Sequence, residues 1–134
     1  MSSVSSIALS GMNVAMLRLQ VSAGNVANAF TEGPLPGAAN ASGYPGAYVP
    51  LRVNQVDTAG GGTGATVGTV TPSYIATYDP GAPFADDKGM VASPNVDLTS
   101  EAIEQIMARY SFAANAAVVR VDAQVTATLL DTVV

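Results

Sequence analysis

The chain has 134 residues, room for one domain of ordinary size. It contains no cysteine, histidine or tryptophan, which removes disulfides, thiolate and imidazole chemistry and the usual zinc ligands in one step. Only 11% of residues are charged and the net charge is −5, an acidic balance that repels nucleic-acid phosphates.

Glycine and proline divide the chain into three parts. All 8 prolines and all but two of the 13 glycines fall between Thr31 and Asp97, leaving both ends free to form long helices. In the first part Leu9, Met12, Met16, Leu19, Ala23, Val26 and Phe30 recur in alternating steps of three and four, the a/d seam of a coiled coil. Serines 2, 3, 5 and 6 are candidate caps. Val14, Leu17 and Val21 lie well off this seam, so the helix is apolar on more than one side and wants burial on more than one side. Gly11 and Gly24 cost about 1 kcal/mol each relative to alanine, so the helix is expected to be weakly ordered alone and to gain order on packing. Mean hydropathy is positive, +0.32, yet no unbroken apolar run reaches about 18 residues, and a spanning segment is not expected. Met1–Ser10 carries no basic residue, unlike a cleavable signal peptide. By those rules the chain stays in the cytosol or leaves by a route that reads no such signal.

The middle part reads as short strands in a glycine- and proline-rich frame: Tyr48–Val56, Ala65–Thr71 and Tyr74–Tyr78. Pro50 confines the first to a sheet edge or to the start of a strand. With six acidic residues against two basic ones, this part holds most of the net charge and is expected to face solvent. The last part starts after Pro94, with Asp97 or Thr99 as cap and Glu101 and Glu104 near the positive end of the helix dipole. Ile103, Met107, Tyr110, Ala114, Ala117, Val121, Val125 and Thr128 form one stripe at helical spacing, expected to face the first helix. Phe112, Val119 and Leu130 lie across from it, so this helix too asks for cover on several sides. The expected fold is α+β. Residues 1–30 and 98–134 pair as a coiled coil, and residues 31–97 form a small, Gly/Pro-rich β insert between them.

Three clusters invite chemistry, and each has a plainer reading. The glycine tract Ala59–Gly64 could cradle a phosphate, but no Lys-Ser or Lys-Thr pair follows, which favours a hairpin tip or flexible loop. Asp86, Asp87, Lys88 and Gly89 could form a calcium turn, yet the spaced acidic series is missing, which favours an Asx-type turn. Asp79 with Asp86 or Asp87 could serve as a hydrolytic carboxylate pair, but no aromatic residues surround them. No catalytic residue, metal or cofactor is expected. Asn13, Asn25, Asn28 and Asn115 are either solvated or hydrogen-bonded between helices to fix register.

Two stretches resemble a known family. Ala8–Thr31, ALSGMNVAMLRLQVSAGNVANAFT, is similar to the N-terminal signature of bacterial flagellar axial proteins through Arg18, Leu19, Ala23, Asn25, Val26, Ala27 and Asn28. Tyr78–Asp97, YDPGAPFADDKGMVASPNVD, resembles a segment of the proximal rod proteins, the FlgC family, through Tyr78, Pro80, Pro83, Ala85, Asp86, Gly89, Val91, Pro94, Asn95 and Val96. Ser111–Asn115 is similar to that family's Ser-Tyr-x-Ala-Asn. Gly24, Glu32 and Met90 depart from the pattern, as does the final TATLLDTVV.

The resemblance implies a structural subunit of the flagellar basal-body rod, not an enzyme. Its terminal helices would join other rod subunits and copies of itself, with the basal-body base and the export apparatus as further partners. It also implies export without a cleaved signal and residence in the periplasmic rod. The assembly interface would use Leu9, Met12, Met16, Leu19, Ala23 and Val26 with Ile103, Met107, Tyr110, Ala114, Ala117 and Val121. A different axial protein of hook or distal rod, or a soluble coiled-coil adaptor that takes a partner helix, are the alternatives.

Overall fold

A computed structural model describes residues 3–133; the candidate cap Ser2 lies outside the described residues. The chain runs α1 (Ser3–Ala27), β1 (Leu51–Asp57), β2 (Thr63–Thr69), β3 (Tyr74–Tyr78), β4 (Met90–Pro94) and α2 (Leu98–Val133), with a 3₁₀ turn at Ala39–Ala41. α1 and α2 pack together antiparallel: Ser5 bonds Asp122 near one end, Arg18 pairs with Glu104, and Ser22 bonds the Glu101 carbonyl near the other. At 25 and 36 residues they are about 37 and 54 Å long. α2 therefore runs on past its last contact with α1, and its residues 123–132 are all exposed.

The face of α1 turned to α2 is not the expected seam. Ala8 and Ala15 are buried there with Ser22 and Asn25, and Gly11 faces Asn115 so closely that a Cβ would lie 2.7 Å from its Nδ2. These positions follow the heptad steps of the seam displaced by one residue. On α2 the partners are Glu101, Glu104, Ala108, Asn115 and Asp122, again one residue from the expected stripe. Leu9, Met16, Leu19, Val26, Ile103, Met107, Tyr110 and Val121 stay exposed, Met16 at 59% and Tyr110 at 72%. The expectation that these stripes face each other within the chain is thus corrected. Small side chains let two helix backbones approach closely, and Arg18, Ser22 and Asn25 find their hydrogen-bond partners only on this face, so burial of polar groups outweighs burial of the greasier stripe.

The same polar stripe bears on the membrane question. By length and composition alone α1 is apolar enough to cross a bilayer, which counting unbroken apolar runs missed. Arg18, Ser22 and Asn25, however, are engaged with α2 and β1 inside the protein.

α2 starts on Asp97, which settles the choice between the two cap candidates. Its Oδ1 accepts the Thr99 N–H at 2.9 Å, its Oδ2 accepts the Ser100 hydroxyl at 2.9 Å, and its carbonyl accepts the Glu101 N–H. The Ser100 hydroxyl, followed by the Thr99 and Ser100 N–H groups, holds this carboxyl below its ordinary range. A depressed native value means the cap's contribution is complete above the unfolded-state value, about 4, and is lost as pH falls through the native one. Helix content followed by circular dichroism should therefore decline on acidification, less steeply in Asp97→Asn, which keeps a neutral cap. Identical acid profiles for the two proteins would count against this.

Between the helices lie two separate two-stranded sheets. β1 pairs antiparallel with β2, Leu51 opposite Thr69 and Asp57 opposite Thr63; β3 pairs with β4, Tyr74 opposite Pro94 and Tyr78 opposite Met90. β1 begins directly after the buried Pro50, as a residue without an N–H requires. The glycine tract forms the β1–β2 tip: Gly60, Gly61 and Gly62 all have positive φ. The tip rests on α1, where Thr63 N–H donates to Ser10 Oγ at 3.0 Å and Ile7 abuts Gly61. β4 was not anticipated as a strand. It holds the buried Val91, Ala92 and Pro94, and Ala92 exchanges two backbone hydrogen bonds, 3.0 and 2.9 Å, with Gly33.

Candidate assembly interface

Among the residues that carry the N-terminal signature Asn25 is the most deeply buried, 1% exposed. Its Nδ2 donates to the Leu51 carbonyl at 2.8 Å and to Glu101 Oε1 at 2.7 Å. Its Oδ1 accepts from the Leu51 N–H at 3.0 Å and from the Tyr48 hydroxyl at 3.1 Å. One amide thus mimics a strand partner for Leu51 and ties α1, β1 and α2 together, with all four of its hydrogen-bonding sites used. Burial, and then the Glu101 carboxylate, push the Tyr48 phenol above its ordinary value, so it stays a donor here. Two turns earlier on α1 the Arg18 guanidinium grips the Glu104 carboxylate at two points, Nη2 to Oε2 at 3.1 Å. Asn28 Nδ2 donates to the Gly24 carbonyl at 2.9 Å and closes the end of α1, while Ala27 is exposed.

The second signature builds the β3–β4 connection. Asp86 Oδ1 accepts the N–H groups of Lys88 and Met90, both at 2.8 Å, and Gly89 turns with φ +74. That is the Asx-type turn, with the carboxylate committed to backbone donors. A Cβ on Gly89 would meet Tyr78 at 2.9 Å and Pro80 at 3.0 Å, so the turn folds tightly on both signature residues. Asp79 Oδ1 accepts from Gly81 N–H, a turn role rather than a shared acid–base pair with Asp86. Pro83 is exposed and Pro94 buried. Asn95 Nδ2 donates to the Pro72 carbonyl at 2.9 Å beside the cis Thr71–Pro72 bond, and Val96 N–H bonds the Pro94 carbonyl. Asn115 donates to its own helix at Ser111 while facing Gly11.

The stripes expected to form the interface, which share Leu19, Ala23 and Val26 with the N-terminal signature, lie mostly on the surface. Leu9, Met16, Leu19, Ala23 and Val26 are exposed along α1, with Met12 half-buried, and Phe30 beyond the helix is 83% exposed. Ile103, Met107, Tyr110, Ala114 and Val121 are exposed along α2, with Ala117 half-buried. Two apolar grooves open beside the helix contact: one of about 620 Å³ that includes Met16, Leu19, Ile106, Tyr110 and Phe112, and one of about 420 Å³ that includes Val4, Val118, Val121 and Val125. Sequence reasoning missed Ala8, Ala15, Ala108, Ser22, Glu101 and Tyr48 as contact residues. The heptad spacing of Ala8, Gly11, Ala15 and Ser22 was the available signal for the first two and for Ser22.

No protein-family model matches the chain. Among characterised proteins it is similar to the flagellar basal-body rod protein FlgC of Agrobacterium fabrum, 34% identical over 134 residues, covering 98% of this chain and 94% of the relative. FlgC of Escherichia coli O6:H1 is 36% identical over 113 residues, and FlgC of Salmonella typhimurium 37% over 117, each covering 81% of this chain and 80% of the relative. The match with the Agrobacterium protein runs through both signatures, the glycine-rich hairpin and both helices. The chain belongs to the FlgC family, the structural subunits of the flagellar basal-body rod.

Proposed function

We propose that the chain takes its place in the rod through the apolar stripes of its two helices, as a non-enzymatic subunit that packs against copies of itself and other rod subunits. One observation carries this reading: after α1 and α2 have paired, Leu9, Met16, Leu19, Val26, Ile103, Met107, Tyr110 and Val121 remain exposed. So extended an apolar surface marks an interaction site. Leu9, Met12, Met16, Leu19, Ala23 and Val26 form one contact strip and Ile103, Met107, Tyr110, Ala114, Ala117 and Val121 the other, each at coiled-coil spacing. Residues 31–97 form the outer insert. Export as an extended chain without a cleaved signal, with ordering on incorporation into the periplasmic rod beside the basal-body base, fits helices interrupted by Gly11 and Gly24.

Leu19 offers the test. It is 37% exposed at the edge of a groove in the single chain, so Leu19→Asp should cost the purified protein about 1–2 kcal/mol and leave it folded. In an assembled interface the buried carboxylate should cost about 3 kcal/mol per contact, roughly a hundredfold in affinity. Cells carrying Leu19→Asp should lack rods and be non-motile, whereas Asp57→Glu in the insert should leave motility unchanged. Normal rods in the Leu19 variant would sink the proposal.

A further inference from the structure

The β3–β4 sheet has one occupied edge and one open edge. Ala92 of β4 is bridged on its far side by Gly33. On the β3 side, Asn95 N–H donates to the Ser73 carbonyl and Asp79 N–H to the Gly89 carbonyl, with Ile75 opposite Ser93 and Thr77 opposite Val91 between them. The odd-numbered residues of β3 therefore turn their main-chain groups toward β4, and Tyr74, Ala76 and Tyr78 turn theirs outward. These outward N–H and C=O groups have no partner among the described residues. Side chains on both faces of the strand are open as well: Tyr74, Ile75, Ala76 and Tyr78 are all exposed, Tyr78 at 68%. From Pro72 to Tyr78 no side chain is charged. An uncharged, aromatic and β-branched strand with open main-chain groups is a template for another strand. We propose that this edge pairs with the same edge of a second copy, antiparallel about Ala76.

Two observations single out a second copy as the occupant. First, the segment Pro72–Pro80, PSYIATYDP, reads nearly alike in both directions: Ala76 at the centre, a β-branched residue on each side, then tyrosine, then Ser73 or Asp79, then proline. An antiparallel pair centred on Ala76 sets Ala76 against Ala76, Tyr74 against Tyr78 and Ile75 against Thr77. The outward groups of Tyr74, Ala76 and Tyr78 then exchange both of their hydrogen bonds with their counterparts, and the tyrosines stack across the strands. Pro72 and Pro80 hold the next outward positions and carry no N–H, so the ladder stops at both ends. Second, charge selects the direction. In the antiparallel pair Asp79 falls opposite the uncharged Ser73 of the second copy, whereas a parallel pair in register would set Asp79 beside Asp79, and like charges placed opposite each other are destabilising. Such a contact is isologous: it closes after two copies and uses neither helix, so it stands apart from the stripes proposed to build the rod.

Sedimentation velocity of the full-length protein tests the pairing. The chain should pass from monomer to dimer between about 1 and 300 µM, as expected of a small contact. Ala76→Lys sets two ammonium groups face to face at the two-fold centre and should weaken the dimer about fivefold or more, and Ala76→Glu should do the same with two carboxylates. Ala76 is exposed and its main-chain groups are unused inside the chain, so both variants should keep the circular dichroism of the parent. An equimolar mixture of the two variants should restore the dimer, a result that misfolding would not give. A parent that stays monomeric across the range, or a mixture no better associated than either variant alone, would overturn the pairing. A dimer untouched by Ala76→Lys but lost in Leu19→Asp would overturn it too, by placing the contact on the helices.

Discussion

Asn25→Ala should destabilise the chain by about 4 kcal/mol, because it removes the partner of two main-chain groups at once and each orphaned group costs roughly 1–3 kcal/mol. The Leu51 N–H and C=O both bond the Asn25 amide, which also anchors Tyr48 and Glu101. Against a typical total of about 5–15 kcal/mol, this is enough to loosen β1 from both helices. Urea unfolding followed by circular dichroism gives the number, and a midpoint unchanged from the parent would refute the central role of Asn25. A charge variant separates hydrogen bonding from shape. Asn25→Asp keeps the acceptor but loses both donors and sets a second carboxylate beside Glu101. Repulsion raises the proton affinity of such a pair, so this variant should be weakest at neutral pH and recover as acid supplies the shared proton. Adding Glu101→Gln, which restores a donor, should recover stability at neutral pH.

Gly33→Ala should have an effect of similar size from a different cause. A Cβ at this buried position would lie 2.3 Å from the Ala47 nitrogen, 2.6 Å from the Gly46 carbon and 2.7 Å from the Pro45 oxygen. All three are main-chain atoms, so no side-chain rotation relieves the overlap. The segments would have to part by about 1 Å to reach ordinary contact. That movement strains the pair of hydrogen bonds joining Gly33 to Ala92 and the bond from Tyr48 N–H to the Thr31 carbonyl. We expect a loss of about 3 kcal/mol, the upper range for an overpacked site. Gly46→Ala is the matched control: a Cβ there meets nothing within 4 Å, and thermal melting should shift little. Equal melting temperatures for the two variants would mean the chain relaxes around Gly33 more freely than its main-chain surroundings indicate.

Both predictions concern residues whose importance lies in distant partners. Asn25 was conspicuous in the signature, but its dual reading, solvated or buried, was open until Leu51 and Glu101 were found beside it. Asn115 and Asn28 bond carbonyls of their own helices, and Asn13 is exposed. One residue type in one kind of helix thus took three fates, decided by what lay opposite. β4 shows the same dependence in the sheet. Its five residues, Met90–Pro94, contain a buried Val91–Ala92 pair and no clear alternation, and their pairing with Tyr74–Tyr78 is non-local.

Composition and local pattern determined a good deal by themselves. The placement of glycine and proline divided the chain into helix, strand-rich middle and helix, because backbone freedom and a missing N–H act locally. The Asp97 cap, the Asx turn at Asp86 and the hairpin tip at Gly60–Gly62 are local for the same reason. Heptad spacing identified which residues share a face. The choice of which face each helix turns inward came only with the tertiary structure, since it depends on groups far apart in sequence: Gly11 against Asn115, Arg18 against Glu104, Asn25 against Leu51. Close approach of small residues and satisfaction of polar ones claimed the inner faces, one residue away from the greasiest stripes, and left those stripes on the surface.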